Sequence, residues 1–232
     1  MFWEKTMDNQ EISLSLPKGD ILPFLSKQLQ QIQFPIDGYT SDNRTYRPNV
    51  HQLKVRAKIM AEKDVILQVA AGNYDLGFCG KDWIEEYTVR FSASCLQILF
   101  SIEHSNQSVF VCSGIGGKFN SLKDFQNYPD YIDIVSEYPN LSENFAIYHR
   151  LKRFKIFSAW GSAEAYPPEH AHLAILKATN ENMLQKNRLI ALKKLFDIDL
   201  CLIVNSHAYQ TKDLTTVLQY LFALEATYGR NS

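Results

Sequence analysis

Short strand-like segments alternate with helical ones along most of this chain, and that alternation restricts the fold more than any other feature. Residues 12–16 alternate apolar side chains with serines, which is typical of a half-buried strand. Leu22, Leu25 and Leu29 follow at helical spacing, with Pro23 in the first turn. The same order of strand and helix continues towards the C-terminus, so the sequence predicts an α/β protein with mostly parallel sheets.

Three later segments complete the prediction of secondary structure. Residues 35–51 are rich in Pro, Asn, Asp and Tyr, which indicates an irregular segment or a short hairpin. Apolar periodicity predicts a helix over residues 182–196, between strands at 173–176 and 200–204. A last amphipathic helix is predicted over residues 211–228.

The composition argues against several classes of protein. The chain has 232 residues and a formal net charge of -1, so it lacks the basic excess with which nucleic-acid binders neutralise phosphates. Its longest apolar stretch without charges, residues 91–102, is too short to span a membrane. The first residues do not resemble a signal peptide, and the four cysteines are widely separated. A reducing cytoplasm is therefore the expected location.

Glycine, proline and polar residues directly follow predicted strands in four segments, where open α/β sheets bind ligands. These are residues 16–19, 75–82, 137–142 and 161–167. Lys18 beside Gly19 can meet an anion through its ammonium group and nearby backbone N–H groups. Gly77 would let the backbone approach a ligand closely. Taken singly, each segment is also typical of an ordinary strand–turn–helix corner.

Together, these segments resemble the catalytic portion of the ATP phosphoribosyltransferases. The stretches LPKG at 16–19, GNYDLGFCGKD at 72–82, EYPNLS at 137–142 and GSAE at 161–164 fall in the family's order and near its spacing. LIVNS at 202–206 matches the family's closing strand. The resemblance covers roughly residues 11–215.

The resemblance implies a fold like that of the type II periplasmic binding proteins, with two α/β domains and a central cleft. The first domain would hold residues 11–102 and 190–232, and the second, inserted domain would hold residues 103–189. The chain is similar to the short form of the family. That form works with a separate regulatory subunit resembling histidyl-tRNA synthetase, and a homo-oligomer is expected.

The reaction implied by the resemblance is glycosyl transfer, the first step of histidine biosynthesis. Adenine N1 of ATP attacks C1 of phosphoribosyl pyrophosphate, and pyrophosphate leaves with Mg²⁺ as cofactor. No catalytic residue is assigned, and no metal site built by the protein is expected, since His170 and His172 have no third ligand nearby. The expected substrate-binding residues are Lys18, Gly19, Gly77, Glu137, Tyr138, Asn140, Gly161, Ser162, Glu164, Thr179, Asn180, Glu181 and Asn182.

Two of these carboxylates admit several roles. Glu137 and Glu164 can contact ribose hydroxyls, bridge through magnesium, hold neighbouring loops, or favour a helix N-terminus as a negative charge. Asn140 or Ser142 can cap the helix after Pro139, which would leave its N–H groups directed at the cleft.

The expected phosphate loop departs from the family pattern, which reads roughly Asp-x-x-x-Thr-Gly-x-Thr-Leu. Residues 177–184 have Lys177 in place of the aspartate, retain only Thr179, and contain no glycine. Glu181 would repel a phosphate. Two hypotheses therefore stay open: an active transferase whose loop binds phosphate in an unfamiliar way, or an inactive relative that binds a nucleotide or pairs with another subunit as a regulator. A periplasmic-type small-molecule binder of another kind is a further alternative to these two.

Overall fold

A computed structural model describes residues 11–43, 45–91, 95–103, 107–125 and 128–228. The chain divides into two compact units. The first contains the described residues within Met1–Trp83, Ser92–His104 and Asp199–Ser232. The second contains those within Ile84–Phe91 and Ser105–Ile198.

Strands and helices alternate along the chain. The described strands are β1 (Ile12–Pro17), β2 (Ile36–Asp37), β3 (Asn49–Val50), β4 (Val55–Met60), β5 (Leu76–Gly80), β6 (Leu96–Ile102), β7 (Ser108–Gly114), β8 (Ile132–Ser136), β9 (Phe154–Ser158), β10 (Leu173–Ala178), β11 (Leu189–Asp197) and β12 (Leu200–Asn205). The described helices are α1 (Leu22–Gln31), α2 (Glu62–Ala70), α3 (Lys81–Thr88), α4 (Pro139–Tyr148), α5 (Glu181–Lys186), α6 (Ser206–Thr211) and α7 (Thr215–Tyr228). None of these helices has the length and apolar character needed to cross a membrane.

The two large sheets follow one plan. The first has the order β4-β1-β5-β12-β6, and the second has the order β9-β8-β10-β7-β11. In each, the first three strands in the row pair in parallel, and the fourth is antiparallel to both of its neighbours, so the other four strands share one direction. That antiparallel strand, β12 or β7, is the first strand after the chain arrives from the other unit.

This plan confirms the predicted α/β class but not the prediction of mostly parallel sheets. Half of the strand pairs in the two large sheets are antiparallel, because β7 and β12 each make two antiparallel pairs. β2 and β3 form a separate antiparallel pair, as expected for a short hairpin within residues 35–51.

The helix predicted over residues 182–196 is wrong for most of its length. α5 ends at Lys186, and β11 follows it as an edge strand paired with β7. The β11 register shifts between Ala191 and Lys193 and again between Lys194 and Phe196. Each shift inserts a residue and breaks the alternation of a regular strand, so the apolar residues fall at helix-like spacing. β11 lies in the second unit, which extends to Ile198. The resemblance to the family had implied that the chain returns to the first domain at residue 190.

A buried ionic network fixes the pairing of β1 with β5. The backbone N–H and the hydroxyl of Ser13 both donate to Asp75 Oδ2, at 2.8 and 2.9 Å. Lys212, just after α6, donates to the same oxygen at 2.8 Å. Asp75 therefore joins β1 and the C-terminal part of the chain to the start of β5, and its role is structural.

Candidate functional site

A pocket of about 560 Å³ opens at the carboxyl end of β1, within the first unit. It lies where a parallel sheet places its ligands. Its lining residues are Lys18, Gly19, Leu22, Thr40, Ser41, Asn43, Thr45, Tyr46 and Ile59.

The ends of two parallel strands form one wall of this pocket. The Lys18 N–H donates to the carbonyl oxygen of Met60, the last residue of β4, at 2.8 Å. Gly19 then adopts a φ of +93°, a left-handed conformation that costs glycine little and other residues more. The chain turns there into α1, whose first residue, Leu22, also lines the pocket. The structure thus places Lys18 and Gly19, both predicted site residues, together.

Residues 40–43, 45 and 46 form the opposite wall and are held by hydrogen bonds of their backbone groups. The Tyr46 carbonyl accepts from the N–H of Ile59 at 2.9 Å, and the Asn43 side chain accepts from the Thr45 N–H at 2.8 Å. The Lys18 ammonium lies 5.8 Å from the centre of the Tyr46 ring, in a cation–π contact between the two walls.

The polarity of the lining favours an anionic ligand. Among the described lining residues, Lys18 carries the only formal charge. Thr40, Ser41 and Thr45 supply hydroxyl groups, which can donate to phosphate or carboxylate oxygens. Asp42 lies beside the lining, where a hydrogen bond from the Thr40 side chain lowers the pKa of its carboxyl. Its negative charge on this exposed edge opposes the attraction only weakly, because solvent screens it.

Gly77 does not line the pocket. It lies in the buried strand β5, where an added Cβ would come within 2.5 Å of Ser15 Oγ, 2.7 Å of Val65 and 2.9 Å of Val69. The absence of a side chain therefore lets α2 pack closely on the sheet, and the predicted approach of a ligand to this backbone has no support here.

We expect Gly77→Ala to lower the free energy of unfolding by about 1–3 kcal/mol, since the new methyl overpacks three side chains. Urea denaturation measures the effect. Combined with Val65→Ala, the total loss should be smaller than the sum of the two single losses, because the second change removes one of the clashing groups. Strict additivity of the two changes would contradict this packing argument.

Glu137 joins two of the predicted segments in the second unit. Its Oε1 accepts from the Gly161 N–H at 2.6 Å. Gly161 and Ser162 have φ values of +76° and +60°, so two successive residues are left-handed, and the serine is strained there. This hydrogen bond corresponds to one of the roles considered for Glu137, that of holding a neighbouring loop, here the one at Gly161. Glu164 lies half-buried in the short 3₁₀ turn Ala163–Ala165.

The N-terminus of α4 is occupied by a residue that sequence reasoning missed. The Glu86 carboxylate of α3 accepts from the N–H groups of Asn140 and Leu141 at 2.9 and 2.8 Å. The Asn140 side chain donates to the Glu86 carbonyl and accepts from Arg90. Burial raises the pKa of the Glu86 carboxyl, and the hydrogen bonds to Leu141 and Asn140 oppose that rise.

These contacts correct the expected roles of the EYPNLS segment. The α4 N–H groups predicted to face a ligand are already satisfied by Glu86, and the Asn140 side chain is engaged with α3. Tyr138 is fully buried. Its N–H donates to the Ser136 hydroxyl, and its carbonyl accepts from the Ser142 hydroxyl and N–H, so the structure leaves neither its side chain nor its backbone open to a ligand. Glu86 gave no signal in the sequence, because helical charge patterns do not reveal which N-terminus a carboxylate will reach.

The segment expected to bind phosphate begins α5. Thr179, Asn180, Glu181 and Asn182 are all exposed. Asn180 caps the helix, its Oδ1 accepting from the Met183 N–H at 3.0 Å. Glu181 lies in the first turn. Within the second unit, this segment and the Glu137–Gly161 pair are not joined by any contact between their described residues that the structure records.

His172, considered above as a metal ligand, is part of an aromatic cluster. Its Nδ1 accepts from the Asp133 N–H at 3.0 Å, and its ring packs against Phe119 and Tyr128. Among the described residues no group of three or more His, Cys, Asp or Glu side chains is arranged to hold a metal. Burial lowers the pKa of His172; Lys118 adds to that, whereas Asp133 and Asp130 oppose it.

This lowered pKa predicts a loss of stability in acid. Since the unfolded chain binds the proton more tightly, the stabilisation is complete above pH 6.5, the ordinary pKa, and is lost as the pH falls through the folded pKa. His172→Asn keeps an acceptor for the Asp133 N–H but cannot titrate. In urea denaturation between pH 5 and 8, it should show a weaker dependence of stability on pH, whereas exposed His170→Asn should not. Equal slopes in wild type and His172→Asn would refute this.

The sequence was compared with models of protein families and with individual proteins, and both comparisons give matches. Residues 61–225 match the sequence model of the family described as HisG, ATP phosphoribosyltransferase. The chain belongs to the ATP phosphoribosyltransferase family. The relative from Chlorobium chlorochromatii is 23% identical over 208 residues, covering 88% of this chain and 66% of its own length. That from Pelodictyon phaeoclathratiforme is 22% identical over 206 residues. The chain thus spans slightly less than two thirds of these relatives.

Solved structures confirm the predicted fold. The ATP phosphoribosyltransferase HisG:HisZ complex from Thermotoga maritima contains a chain with a TM-score of 0.73 and 20% identity, covering 93% of this chain and 97% of that one. The periplasmic aliphatic sulphonate binding protein SsuA from Escherichia coli has a TM-score of 0.57 at 12% identity, covering 94% and 68%. The likeness to both confirms an α/β fold shared by this family and periplasmic binding proteins.

Most predicted site residues lie within the range that the ATP phosphoribosyltransferase model matches, but Lys18 and Gly19 precede it. Sequence reasoning also missed the wall formed by residues 40–43, 45 and 46. Its composition, rich in Asn, Asp, Thr and Tyr, indicated an irregular segment. The only available signal was its hydroxyl and amide content, which is common in ordinary loops.

Proposed function

We propose that this chain transfers a phosphoribosyl group from phosphoribosyl pyrophosphate to N1 of ATP, the first step of histidine biosynthesis. Family membership over residues 61–225 is the observation that carries the proposal. The Lys18 pocket supports it, because the reaction brings together two substrates with several phosphates, and this pocket offers a cation, hydroxyl groups and no carboxylate in its described lining.

The chemistry asks mainly for binding and orientation. Adenine N1 supplies the electron pair for the new bond to C1, the C1–O bond breaks, and its electron pair leaves with pyrophosphate. A site that aligns the two reactants and stabilises the charge growing on pyrophosphate provides most of the acceleration. We propose Lys18 for this stabilisation, since an ammonium group in a partly enclosed pocket attracts phosphate oxygens strongly.

We propose that the predicted residues of the second unit have two kinds of role. Glu137 holds the strained turn at Gly161 and Ser162 in place, so that turn can present its backbone to a sugar or phosphate. Thr179 and Asn182, both exposed, are the proposed contacts to the 5′-phosphate, in place of the glycine-containing loop of the family. Glu164 keeps its proposed contact with ribose.

Mg²⁺ is the cofactor we propose, and it would be carried by the phosphates. The described residues lining the Lys18 pocket contain no carboxylate and so would not hold the ion themselves. Magnesium is commonly bound through substrate phosphates, with few protein ligands.

The proposed assembly is a homo-oligomer that pairs with a HisZ-like regulatory subunit, similar to histidyl-tRNA synthetase. The Thermotoga maritima HisG:HisZ complex supports this partner. The proposed location is the cytoplasm. All four cysteines lie in the described residues and form no disulfide there, which fits a reducing compartment.

The test is formation of phosphoribosyl-ATP and pyrophosphate by the purified chain with ATP, phosphoribosyl pyrophosphate and Mg²⁺. It is run with and without the HisZ-like subunit of the same organism. Product in either condition supports the proposal. ATP binding without product in both conditions would overturn it and support the inactive, nucleotide-binding relative.

A further inference from the structure

Tyr39 connects the two walls of the Lys18 pocket. It is 2% exposed, and its hydroxyl donates to the carbonyl oxygen of Pro17 at 2.7 Å. Pro17 ends β1 and directly precedes Lys18. Tyr39 itself directly precedes the opposite wall, which residues 40–43, 45 and 46 form. The buried hydrogen bond from Tyr39 to Pro17 therefore links the start of the opposite wall to the end of β1, next to Lys18.

A second bond fixes Tyr39 to the helix beneath the pocket. Its backbone carbonyl accepts from the Ser26 hydroxyl of α1 at 2.6 Å. The other end of the wall is held by the bond from the Ile59 N–H to the Tyr46 carbonyl. The wall is thus held by hydrogen bonds at both ends. Among the described residues, only the end at Tyr39 is bonded to β1, the strand that leads into Lys18, through the Tyr39 hydroxyl and Pro17.

The Tyr39 hydroxyl is a donor under all ordinary conditions. Burial raises its pKa well above the usual value, and Glu62 raises it further. A phenol with a raised pKa stays protonated at neutral pH, so its hydroxyl remains a donor to Pro17 there. The Pro17 carbonyl, in turn, would lose a buried partner if the hydroxyl were removed.

We propose that Tyr39 is a positioning residue for the Lys18 pocket, whose hydroxyl sets the distance between Lys18 and the wall formed by residues 40–43, 45 and 46. The proposal rests on the proposed function only for the identity of the anion. Tyr39 touches no ligand itself. It acts through Pro17, by fixing where the Lys18 ammonium lies relative to the Tyr46 ring.

The experiment compares Tyr39→Phe with Tyr220→Phe. Tyr220 packs edge-on against Phe34 in the same unit, and no hydrogen bond of its hydroxyl is found among the described residues. Lysines are labelled by ¹³C reductive methylation, and the Lys18 signal is identified by its loss in Lys18→Arg. Tyr46→Leu gives the position of that signal without the ring current of Tyr46. Binding of inorganic pyrophosphate is measured by calorimetry.

Tyr39→Phe should move the Lys18 signal towards its position in Tyr46→Leu. It should also weaken pyrophosphate binding by about fivefold, because the loss of one buried hydrogen bond lowers the fraction of molecules whose pocket has the binding geometry. Tyr220→Phe should change neither. A Lys18 signal and an affinity equal to wild type in folded Tyr39→Phe would overturn the proposal. If Tyr39→Phe does not fold, Ser26→Ala replaces it, since it removes the hydrogen bond to the Tyr39 carbonyl. An unchanged Lys18 signal in folded Ser26→Ala would then overturn the proposal.

These outcomes separate the inference from the proposed function. Failure of wild type to bind pyrophosphate would count against the proposed function, and the Lys18 signal alone would then decide the role of Tyr39. Pyrophosphate binding that depends on Tyr39, with no phosphoribosyl-ATP formed, would support the positioning role and reject the transferase.

Discussion

Lys18→Ala should reduce kcat/KM for phosphoribosyl-ATP formation by about 100-fold, the largest effect on activity that we expect from a single change. Among the described residues lining the pocket, Lys18 alone carries a charge, so nothing there replaces it. The lost interaction is strongest when negative charge accumulates on the leaving pyrophosphate, and kcat should therefore fall as well as affinity. Steady-state kinetics with both substrates varied measures the two parameters.

Lys27→Ala is the matched control for this measurement. Lys27 is an exposed lysine of the neighbouring helix α1 and does not line the pocket. It should retain wild-type kinetics, whereas Lys18→Arg should keep part of the activity because the charge remains. Wild-type kcat/KM in a folded Lys18→Ala variant would reject the Lys18 pocket as part of the active site.

Lys212→Ala should have the largest effect on stability, lowering the free energy of unfolding by about 3–5 kcal/mol. Lys212 is 22% exposed and its partner Asp75 is 7% exposed, so removing the ammonium leaves a carboxylate buried without its counterion. The two hydrogen bonds from Ser13 remain but do not neutralise the charge. Urea denaturation at pH 7 gives the loss.

An exposed ion pair provides the comparison. Lys194 and Asp197 are 2.6 Å apart, but each side chain is 49% exposed, so Lys194→Ala should cost less than about 1 kcal/mol. Asp75→Asn combined with Lys212→Met should be less damaging than Lys212→Ala alone, because no unpaired charge stays buried. Similar losses for Lys212→Ala and Lys194→Ala would show that the buried pair adds no special stability.

The features that were predicted from sequence follow from local rules. The alternation in residues 12–16 gave β1, and the rule that ligands bind after parallel strands pointed to Lys18 and Gly19. The family followed from short motifs that are specific when found in order. Each of these signals lies within a few consecutive residues.

The features that could not be predicted depend on residues far apart in sequence. Glu86 reaches the N-terminus of α4 more than fifty positions later, and nothing near either segment records that contact. The glycine at position 77 is explained by Val65 and Val69 of α2. In β11, two irregularities in pairing with β7 changed the apparent period of the apolar residues. Tertiary pairing decided all three.

The position of β12 between β5 and β6 has a consequence for synthesis of the protein. Every strand of the second sheet lies within residues 108–197, whereas the first sheet lacks its fourth strand until residues 200–205 have been made. During translation, β5 and β6 therefore lack β12, the strand that pairs with both of them, when all strands of the second unit have already been synthesised. The half of the protein that is translated first is the half that is finished last, and during that interval its strand edges must be kept from other chains.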